Sequence, residues 1–397
     1  MSEQPFIPFH IPSIGEEEIS EVVATLRSGW LTTGPRTAEF EREFKKYVRA
    51  SHALAVNSGT AALHLALAGL GIGPGDEVIT TPMTFCATVN TILQVGAEPV
   101  LADIGADGNI DPASVAQRIT GRTRAILPVH LGGLPCEMDQ LWSLAREHGL
   151  LVIEDAAHAV GAIYRGQPIG SGSDAVAFSF YATKNLTTGE GGMVTTNNSA
   201  LAESMRILCL HGITKDAWNR YAQHGNWYYE VQACGFKYNL SDIQSAIGLH
   251  QLRKQEHFIE VRTRYARLYS EALAGVPEVD IPPEPEWRRP AWHLYILRLN
   301  LELLDINRDE FIRELHRRGI GASVHFIPVP LHPFFKEYAS RPENFCPRAL
   351  TLYPRLVSLP LYPAMSEDQI RYVARAVKDI VTAAKRRKSI SLAAVTP

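Results

Sequence analysis

Short apolar runs that alternate with longer stretches of helical periodicity constrain the fold of this chain more than any other feature. The helical stretches between the first five runs are long enough to be crossover connections. Continuously apolar strands joined by such crossovers favour parallel pairing, with both faces of the sheet covered. The pattern predicts an α/β domain with a mixed, mostly parallel seven-stranded sheet. The runs are HALAV (52–56), DEVIT (76–80), EPVLA (98–102), RAILPVH (124–130), LLVIED (150–155), AVAFSF (175–180) and GGMVTT (191–196).

A second, smaller domain is expected after this sheet. Helical periodicity runs from 241 to 273, and a proline-rich segment at 275–290 then interrupts it. Beyond that segment, one apolar run and helical patterns near 307–318 and 366–384 indicate an α+β unit. We therefore predict a large domain over 1–250, a small domain over 251–384 and a flexible, solvated tail over 385–397.

Composition excludes several classes of protein. A formal charge of -3 over 397 residues provides no basic field for nucleic acid. The chain has no run of eighteen apolar residues and no N-terminal signal pattern, so we expect a cytoplasmic protein without membrane contact. The five cysteines are scattered without a Cys-x-x-Cys pair, and no His-Glu-x-x-His occurs, so no metal site is expected.

A candidate phosphate site follows the first strand. The segment NSGT (57–60) leads directly into a helical pattern, so unpaired N–H groups at the helix start would meet an anion. Gly59 would permit close approach, and Thr60 would add a hydroxyl. Ser179, at the end of the sixth strand, could add another donor. Because Ser and Thr are also ordinary helix caps, this segment alone remains ambiguous.

Two carboxylates, Glu154 and Asp155, end the fifth strand. An unpaired buried carboxylate is costly, so one of the two should meet a cation or a donor. A cationic ring nitrogen is the more specific partner, and capping of a following helix is the alternative. His158 would lie near the same ring.

Lys184 lies in a polar turn between the sixth and seventh strands, before the glycine-rich segment GEGG. A lysine amine attacks carbonyl groups only when it is neutral, which requires a lowered pKa. Phe85, after the second strand, could stack on a planar ligand or pack in the core. A phosphate cup, a strand-end aspartate, a stacking aromatic and a loop lysine together indicate pyridoxal 5'-phosphate (PLP).

The sequence resembles the DegT family of nucleotide-sugar aminotransferases, which are PLP enzymes of fold type I, from about residue 6 to residue 384. The motifs that carry the resemblance include GWLTTGP, NSGTAALHLAL, VIEDAAHA, SFYATKN, GFKYNLSDIQSAIG and GIGASVHF. The resemblance implies a homodimer with shared active sites. It also implies that Lys184 binds the cofactor as a Schiff base and that Asp155 pairs with the pyridine nitrogen. Phe85 and His158 would contact the ring. The phosphate would be held by Gly59, Thr60 and Ser179, and Asn239 would reach the phosphate in the partner subunit.

The activity that the resemblance implies is transfer of an amino group from L-glutamate to a nucleotide-linked keto sugar. Family members with histidine in place of the lysine are dehydratases, so the presence of Lys184 favours transamination. The motifs are most similar to those of enzymes that aminate C4 of UDP-linked 4-keto sugars. Amination at C3, a TDP- or GDP-linked keto-deoxysugar, and a PLP-binding regulatory protein are the alternatives.

Residues for the sugar are harder to assign. Trp30 and Thr32 of GWLTTGP are candidates for substrate binding. His325 and His332 could contact the sugar or the diphosphate, or could pack within their own loop. Trp227 could line the sugar pocket or lie at a dimer interface.

Overall fold

The computed structural model describes residues 6–213, 228–339 and 345–386. Within this part of the chain, no helix is long and apolar enough to cross a membrane. The helices are α1 Glu16–Ser28, α2 Pro35–Tyr47, α3 Gly59–Gly69, α4 Cys86–Gln94, α5 Pro112–Ala116, α6 Met138–His148, α7 Ser199–Cys209, α8 Asp242–Leu273, α9 Arg308–Arg317, α10 Lys336–Ala339, α11 Pro347–Leu352 and α12 Glu367–Ala383. The strands are β1 His52–Val56, β2 Glu77–Thr80, β3 Glu98–Leu101, β4 Thr123–Leu127, β5 Leu151–Asp155, β6 Ile163–Tyr164, β7 Gln167–Pro168, β8 Ala175–Ser179, β9 Gly192–Thr196, β10 Val279–Asp280, β11 Arg288–Arg289, β12 Tyr295–Leu299 and β13 Leu356–Leu359.

All seven predicted strands lie in one sheet, in the order β1-β9-β8-β5-β4-β2-β3. Strand β9 is antiparallel to both of its neighbours, and the other pairs are parallel. The prediction of a mixed, mostly parallel sheet is confirmed. The pattern also predicted parallel pairing among the first five strands, and this holds for β2, β3, β4 and β5. Strand β1 is the exception, because β9 lies between it and the other strands. Six strands still point the same way, so their carboxyl ends share one edge.

One long helix contributes side chains to two separate cores of the molecule. Leu249, Leu252 and Ile259 of α8 belong to a core that also contains side chains of α2 and of the large sheet. The second half of α8 contributes to a separate core with β12, β13 and α12. Position 250, where the two predicted domains divide, therefore falls inside one continuous helix. The division itself stays a prediction, and the tail from 387 onward lies outside the described residues.

The helix α8 begins at a buried aspartate that also organises the N-terminal region. Asp242 accepts hydrogen bonds from the N–H groups of Gly34 at 2.7 Å, Arg36 at 3.1 Å and Thr37 at 3.0 Å, and from the Thr37 hydroxyl at 2.8 Å. These N–H groups lie at the start of α2, where a helix has unpaired donors and a positive dipole end. One carboxylate thus connects the GWLTTGP segment to α8.

Replacing this aspartate should destabilise the protein. Because Asp242→Ala leaves several buried donors unpaired, we expect it to lower the free energy of unfolding by about 2–4 kcal/mol in urea titrations. The control is Asp309→Ala, which removes an exposed carboxylate from the first turn of α9 and should change stability by less than ~0.5 kcal/mol. Equal stability of the two variants would contradict this assignment.

Candidate active site

The carboxyl ends of β1, β5 and β8 open into a cavity of about 390 Å³. Cavities that hold small ligands fall in this size range and lie at this edge of α/β sheets. The structure brings eight of the predicted site residues together in its lining. They are Gly59, Thr60, Phe85, Asp155, His158, Ser179, Lys184 and His325.

One end of the cavity is built to receive an anion. Ser58 caps α3 by accepting a hydrogen bond from the Ala61 N–H at 3.0 Å. The N–H groups of Gly59 and Thr60 have no acceptor among the residues that the structure describes. A Cβ atom on Gly59 would lie 2.8 Å from the Cβ atom of Ser179, so only glycine lets the serine come this close. Free helix N–H groups and adjacent hydroxyls fit a phosphate group.

The two acidic residues at the end of β5 have different surroundings. Glu154 pairs with His130, whose Nε2 lies 2.8 Å from a carboxylate oxygen, and both side chains are buried. The Cys136 N–H donates to Nδ1 of that imidazole, so Nε2 carries the proton that is donated to Glu154. The sequence left open which of the two carboxylates would meet a ligand. Glu154 is already paired with His130, whereas Asp155 lines the cavity.

Asp155 is buried and accepts one hydrogen bond on each oxygen, from the Thr88 hydroxyl at 2.8 Å and from the Ala157 N–H at 3.1 Å. Burial raises the pKa of its carboxyl group, and these hydrogen bonds and the charge of Lys184 oppose the rise. A carboxylate oxygen has room for a further donor. A protonated ring nitrogen in the cavity would satisfy this need.

Lys184 lies in the loop between β8 and β9, and its N–H donates to the Tyr181 carbonyl at 2.9 Å. The side chain is half-buried in the wall of the cavity. Burial lowers the pKa of its amine to about 8, and the charge of Asp155 acts in the opposite direction. A lysine with such a pKa is partly neutral near physiological pH, and the neutral amine attacks an aldehyde.

Aromatic and imidazole rings form the remaining walls. The His158 and Phe326 rings are stacked, with centroids 5.7 Å apart and an angle of 19° between their planes. Phe85 lies 6.2 Å from Phe326 and is 60% exposed, so its face is available to a ligand. Burial, helped by the charge of Lys184, lowers the pKa of His158 well below its ordinary value and that of His325 to about 4. These imidazoles are neutral at pH 7 and suit a flat ring.

Several residues that line the cavity or contact its lining were missed by sequence reasoning. Thr88 could have been found, because it follows Phe85 by three residues at the start of the same helix and its hydroxyl reaches Asp155. His293 and Phe326 come from about a hundred residues or more beyond the last strand of the sheet, and no local pattern links them to it. Tyr181, Thr183 and Glu190 also line the cavity.

Two of the predicted substrate residues lie outside the lining of this cavity. The Trp30 indole N–H donates to the Thr33 carbonyl at 3.0 Å, and the Thr32 carbonyl accepts from the Asp242 N–H at 3.2 Å. Their substrate roles stay predictions, as does the role of half-buried His332, which is also outside the lining. Trp227 lies outside the described residues.

Asn239, predicted to reach a partner subunit, lies beside the end of β1 through a bridge to Val56. Its amide Nδ2 donates to the Thr33 hydroxyl at 2.7 Å, and its Oδ1 accepts from Lys237. The side chain is outside the lining of the cavity in the single chain. Its proposed reach to the other subunit's phosphate stays a prediction.

Comparison with known proteins decides the family. The model of the DegT/DnrJ/EryC1/StrS aminotransferase family matches residues 12–378. The chain belongs to this family. SpsC of Bacillus subtilis, a spore coat polysaccharide biosynthesis protein, is 50% identical over 381 residues, which are 96% of this chain and 98% of SpsC.

Solved structures agree with this assignment. Spr1654 of Streptococcus pneumoniae, in its PMP form, is 36% identical with a TM-score of 0.89, over 95% of this chain and 99% of that chain. DesI, solved in the presence of its TDP-sugar product, is 33% identical with a TM-score of 0.85, over 96% of this chain and 93% of that chain. The protein is a PLP-dependent sugar aminotransferase, so the predicted fold, enzyme class and cofactor are confirmed.

The Gly59→Ala variant tests the phosphate cup. Its new Cβ atom would lie 2.8 Å from the Ser179 Cβ and would push the serine away, so the dissociation constant for PLP should rise at least about tenfold, or ~1.4 kcal/mol. Equilibrium dialysis measures this constant. Gly121→Ala is the control, because a Cβ atom there meets nothing within 4 Å. Unchanged affinity in Gly59→Ala would place the phosphate elsewhere.

The lowered pKa of Lys184 makes a prediction about pH. Only the neutral amine reacts with the cofactor aldehyde, so the rate at which cofactor-free protein captures PLP should rise with pH through about 8 and then level off. Stopped-flow absorbance between pH 6 and pH 10 measures this rate. A rate that is still rising steeply through pH 10 would mean that the amine has the ordinary pKa of a solvated lysine, roughly 10.4.

Proposed function

We propose that this aminotransferase moves an amino group from L-glutamate to C4 of a UDP-linked keto sugar. The observation that carries the proposal is the placement of Lys184, with its lowered pKa, in one cavity with Asp155 and the phosphate cup. The similarity of the GWLTTGP, GFKYNL and AWHLYILRL motifs to those of UDP-4-keto-sugar enzymes supports the choice of sugar.

Each residue of the cavity has a defined task in this proposal. When bound, PLP supplies an aldehyde that accepts amines and a ring that stores electrons. Gly59, Thr60 and Ser179 bind its phosphate, and Asp155 keeps a proton on the ring nitrogen. Lys184 would hold the aldehyde carbon of the cofactor, and its Nζ, when free, would carry a proton to and from the reacting carbon of the substrate.

The same lysine serves both halves of the reaction. In the first half, Nζ of Lys184 takes the proton from the α-carbon of glutamate. In the second half, it returns a proton to the sugar carbon that receives nitrogen. A pKa of about 8 suits both directions, because an acid–base group works best when its pKa is near the working pH.

Features of the single chain support a dimer with shared sites. Lys184 is the only lysine or arginine among the described residues that line the cavity. A nucleotide diphosphate needs further cations or donors, so a second copy of the chain would supply them, with Asn239 reaching the partner's phosphate. Helix α1 also exposes Ile19, Val23 and Leu26, an apolar face that a second subunit could cover.

Amination of a TDP-linked sugar is the second candidate, because the related DesI was solved with a TDP-sugar product. The experiment below also tests amination at C3 and of a GDP-linked sugar. The residues of the described cavity do not distinguish the nucleotides.

The test has two stages. Glutamate alone should convert the PLP enzyme to its pyridoxamine form, with loss of visible absorbance and release of one 2-oxoglutarate per site. The converted enzyme is then mixed with UDP-, TDP- and GDP-linked 4-keto and 3-keto sugars, and the amino sugars are measured by mass spectrometry. The UDP-4-keto sugar should react fastest.

Lys184→Ala is the matched control and should show neither step. Faster reaction of a TDP-, GDP- or 3-keto sugar would replace the proposed substrate. Failure of glutamate to convert the enzyme would refute the proposed donor.

A further inference from the structure

Asn185, directly after Lys184, is a buried amide with both polar atoms in use. Its Nδ2 donates to the Ala291 carbonyl at 2.6 Å, and its Oδ1 lies 2.9 Å from Nδ1 of His293. Both partners are more than a hundred residues further along the chain. Two hydrogen bonds from one side chain thus tie the lysine loop to the segment 291–294.

The hydrogen bonds determine the tautomer of His293. Because Asn185 uses its Nδ2 on the Ala291 carbonyl, its Oδ1 faces the imidazole and accepts a proton from Nδ1. Burial lowers the pKa of His293 well below its ordinary value, and the charge of Lys184 lowers it further. The ring is therefore neutral, with its single N–H directed at Asn185.

The segment that carries His293 is held firmly on its far side. Ala291 N–H donates to the Gly133 carbonyl at 2.9 Å, and Leu294 N–H donates to the Gly132 carbonyl at 3.2 Å. Trp292 has a φ of 46°, a left-handed conformation that costs about 1 kcal/mol or more in a non-glycine residue. The buried guanidinium of Arg262 donates to its carbonyl at 3.1 Å, which helps to hold this conformation.

The turn at 132–133 connects this segment to a further wall of the cavity. A Cβ atom on Gly133 would lie 2.8 Å from the His158 carbonyl oxygen and 3.1 Å from the Ala291 Cβ atom. The imidazoles of His158 and His293 have centroids 4.3 Å apart. His293 thus contacts the cavity wall on one side and the residue next to Lys184 on the other.

We propose that Asn185 and His293 form a positioning pair that fixes the backbone of Lys184 while its side chain moves. The proposal rests on the proposed function, in which Nζ of Lys184 leaves the cofactor carbon and returns to it in each half of the reaction. Four flexible methylenes separate that nitrogen from the main chain, so its reach depends on where the main chain is held. Neither residue of the pair transfers a proton.

The experiment compares His293→Ala with His293→Asn. The asparagine amide can place an N–H close to the position of the imidazole Nδ1, so it keeps the donor for Asn185. The first readout is the rate at which cofactor-free protein captures PLP, in which a C–N bond to Lys184 forms and the aldehyde oxygen leaves as water. The second readout is the dissociation constant of pyridoxine 5'-phosphate, which has an alcohol in place of the aldehyde and binds without that bond.

We expect His293→Ala to slow capture about tenfold or more, because displacement of a reacting group by ~1 Å can cost up to ~100-fold. Its affinity for pyridoxine 5'-phosphate should fall by a clearly smaller factor than the capture rate, since the phosphate cup is untouched and only one lining side chain is shortened. His293→Asn should recover most of the capture rate. Asn185→Ala should match His293→Ala, and the double variant should be no slower than either, as expected for residues that act together.

Tyr265→Phe controls for general loss of stability. It removes a buried hydrogen bond to the Met365 carbonyl in the second core, at 2.5 Å, and should lower the melting temperature without slowing capture. Wild-type capture rates in His293→Ala, or equal losses in His293→Ala and His293→Asn, would overturn the positioning pair. Failure of the proposed function would look different, because glutamate would then leave the wild-type enzyme in its PLP form, while the capture rates of His293→Ala and His293→Asn would still differ.

Discussion

This site depends on the balance between two effects on the Lys184 amine, its burial away from water and the nearby charge of Asp155. Burial favours the neutral amine of Lys184, and Asp155 favours the charged one. The balance leaves a lysine that can be a nucleophile and a proton carrier at ordinary pH. The Asp155 carboxylate is buried and can accept another hydrogen bond. A protonated ring nitrogen in the cavity would therefore stabilise its ionised form.

The sheet makes this balance possible by bringing distant parts of the chain to one edge. Six of its strands point the same way, and the residues at or just beyond the ends of β1, β5 and β8 supply the phosphate cup, the aspartate and the serine. The reversed strand β9 has a second effect, because its loop from β8 carries Lys184 back across that edge. Gly192 lets β9 pass the Ser58 carbonyl, where a Cβ atom would come within 2.5 Å.

Much of this arrangement could be predicted because its signals are local. Each of the seven strands is a short apolar run, and Gly59, Asp155, Ser179 and Lys184 each lie at or just beyond the end of such a run. The local residues left the choice between Glu154 and Asp155 open, and only the family resemblance favoured Asp155, because the choice depends on His130, which reaches Glu154 from the neighbouring strand end. His293 and Phe326 were also beyond prediction, since their place depends on how the later part of the chain packs on the sheet.

The most direct test of the account is to locate the lysine that bonds to the cofactor. Borohydride reduction of the PLP-loaded enzyme, followed by proteolysis and mass spectrometry, fixes the cofactor to that residue. The account predicts one pyridoxyl phosphate group per chain, on the peptide that contains Lys184. A group on another lysine, such as Lys237 beside the predicted partner-facing Asn239, or a chain without any label, would contradict it.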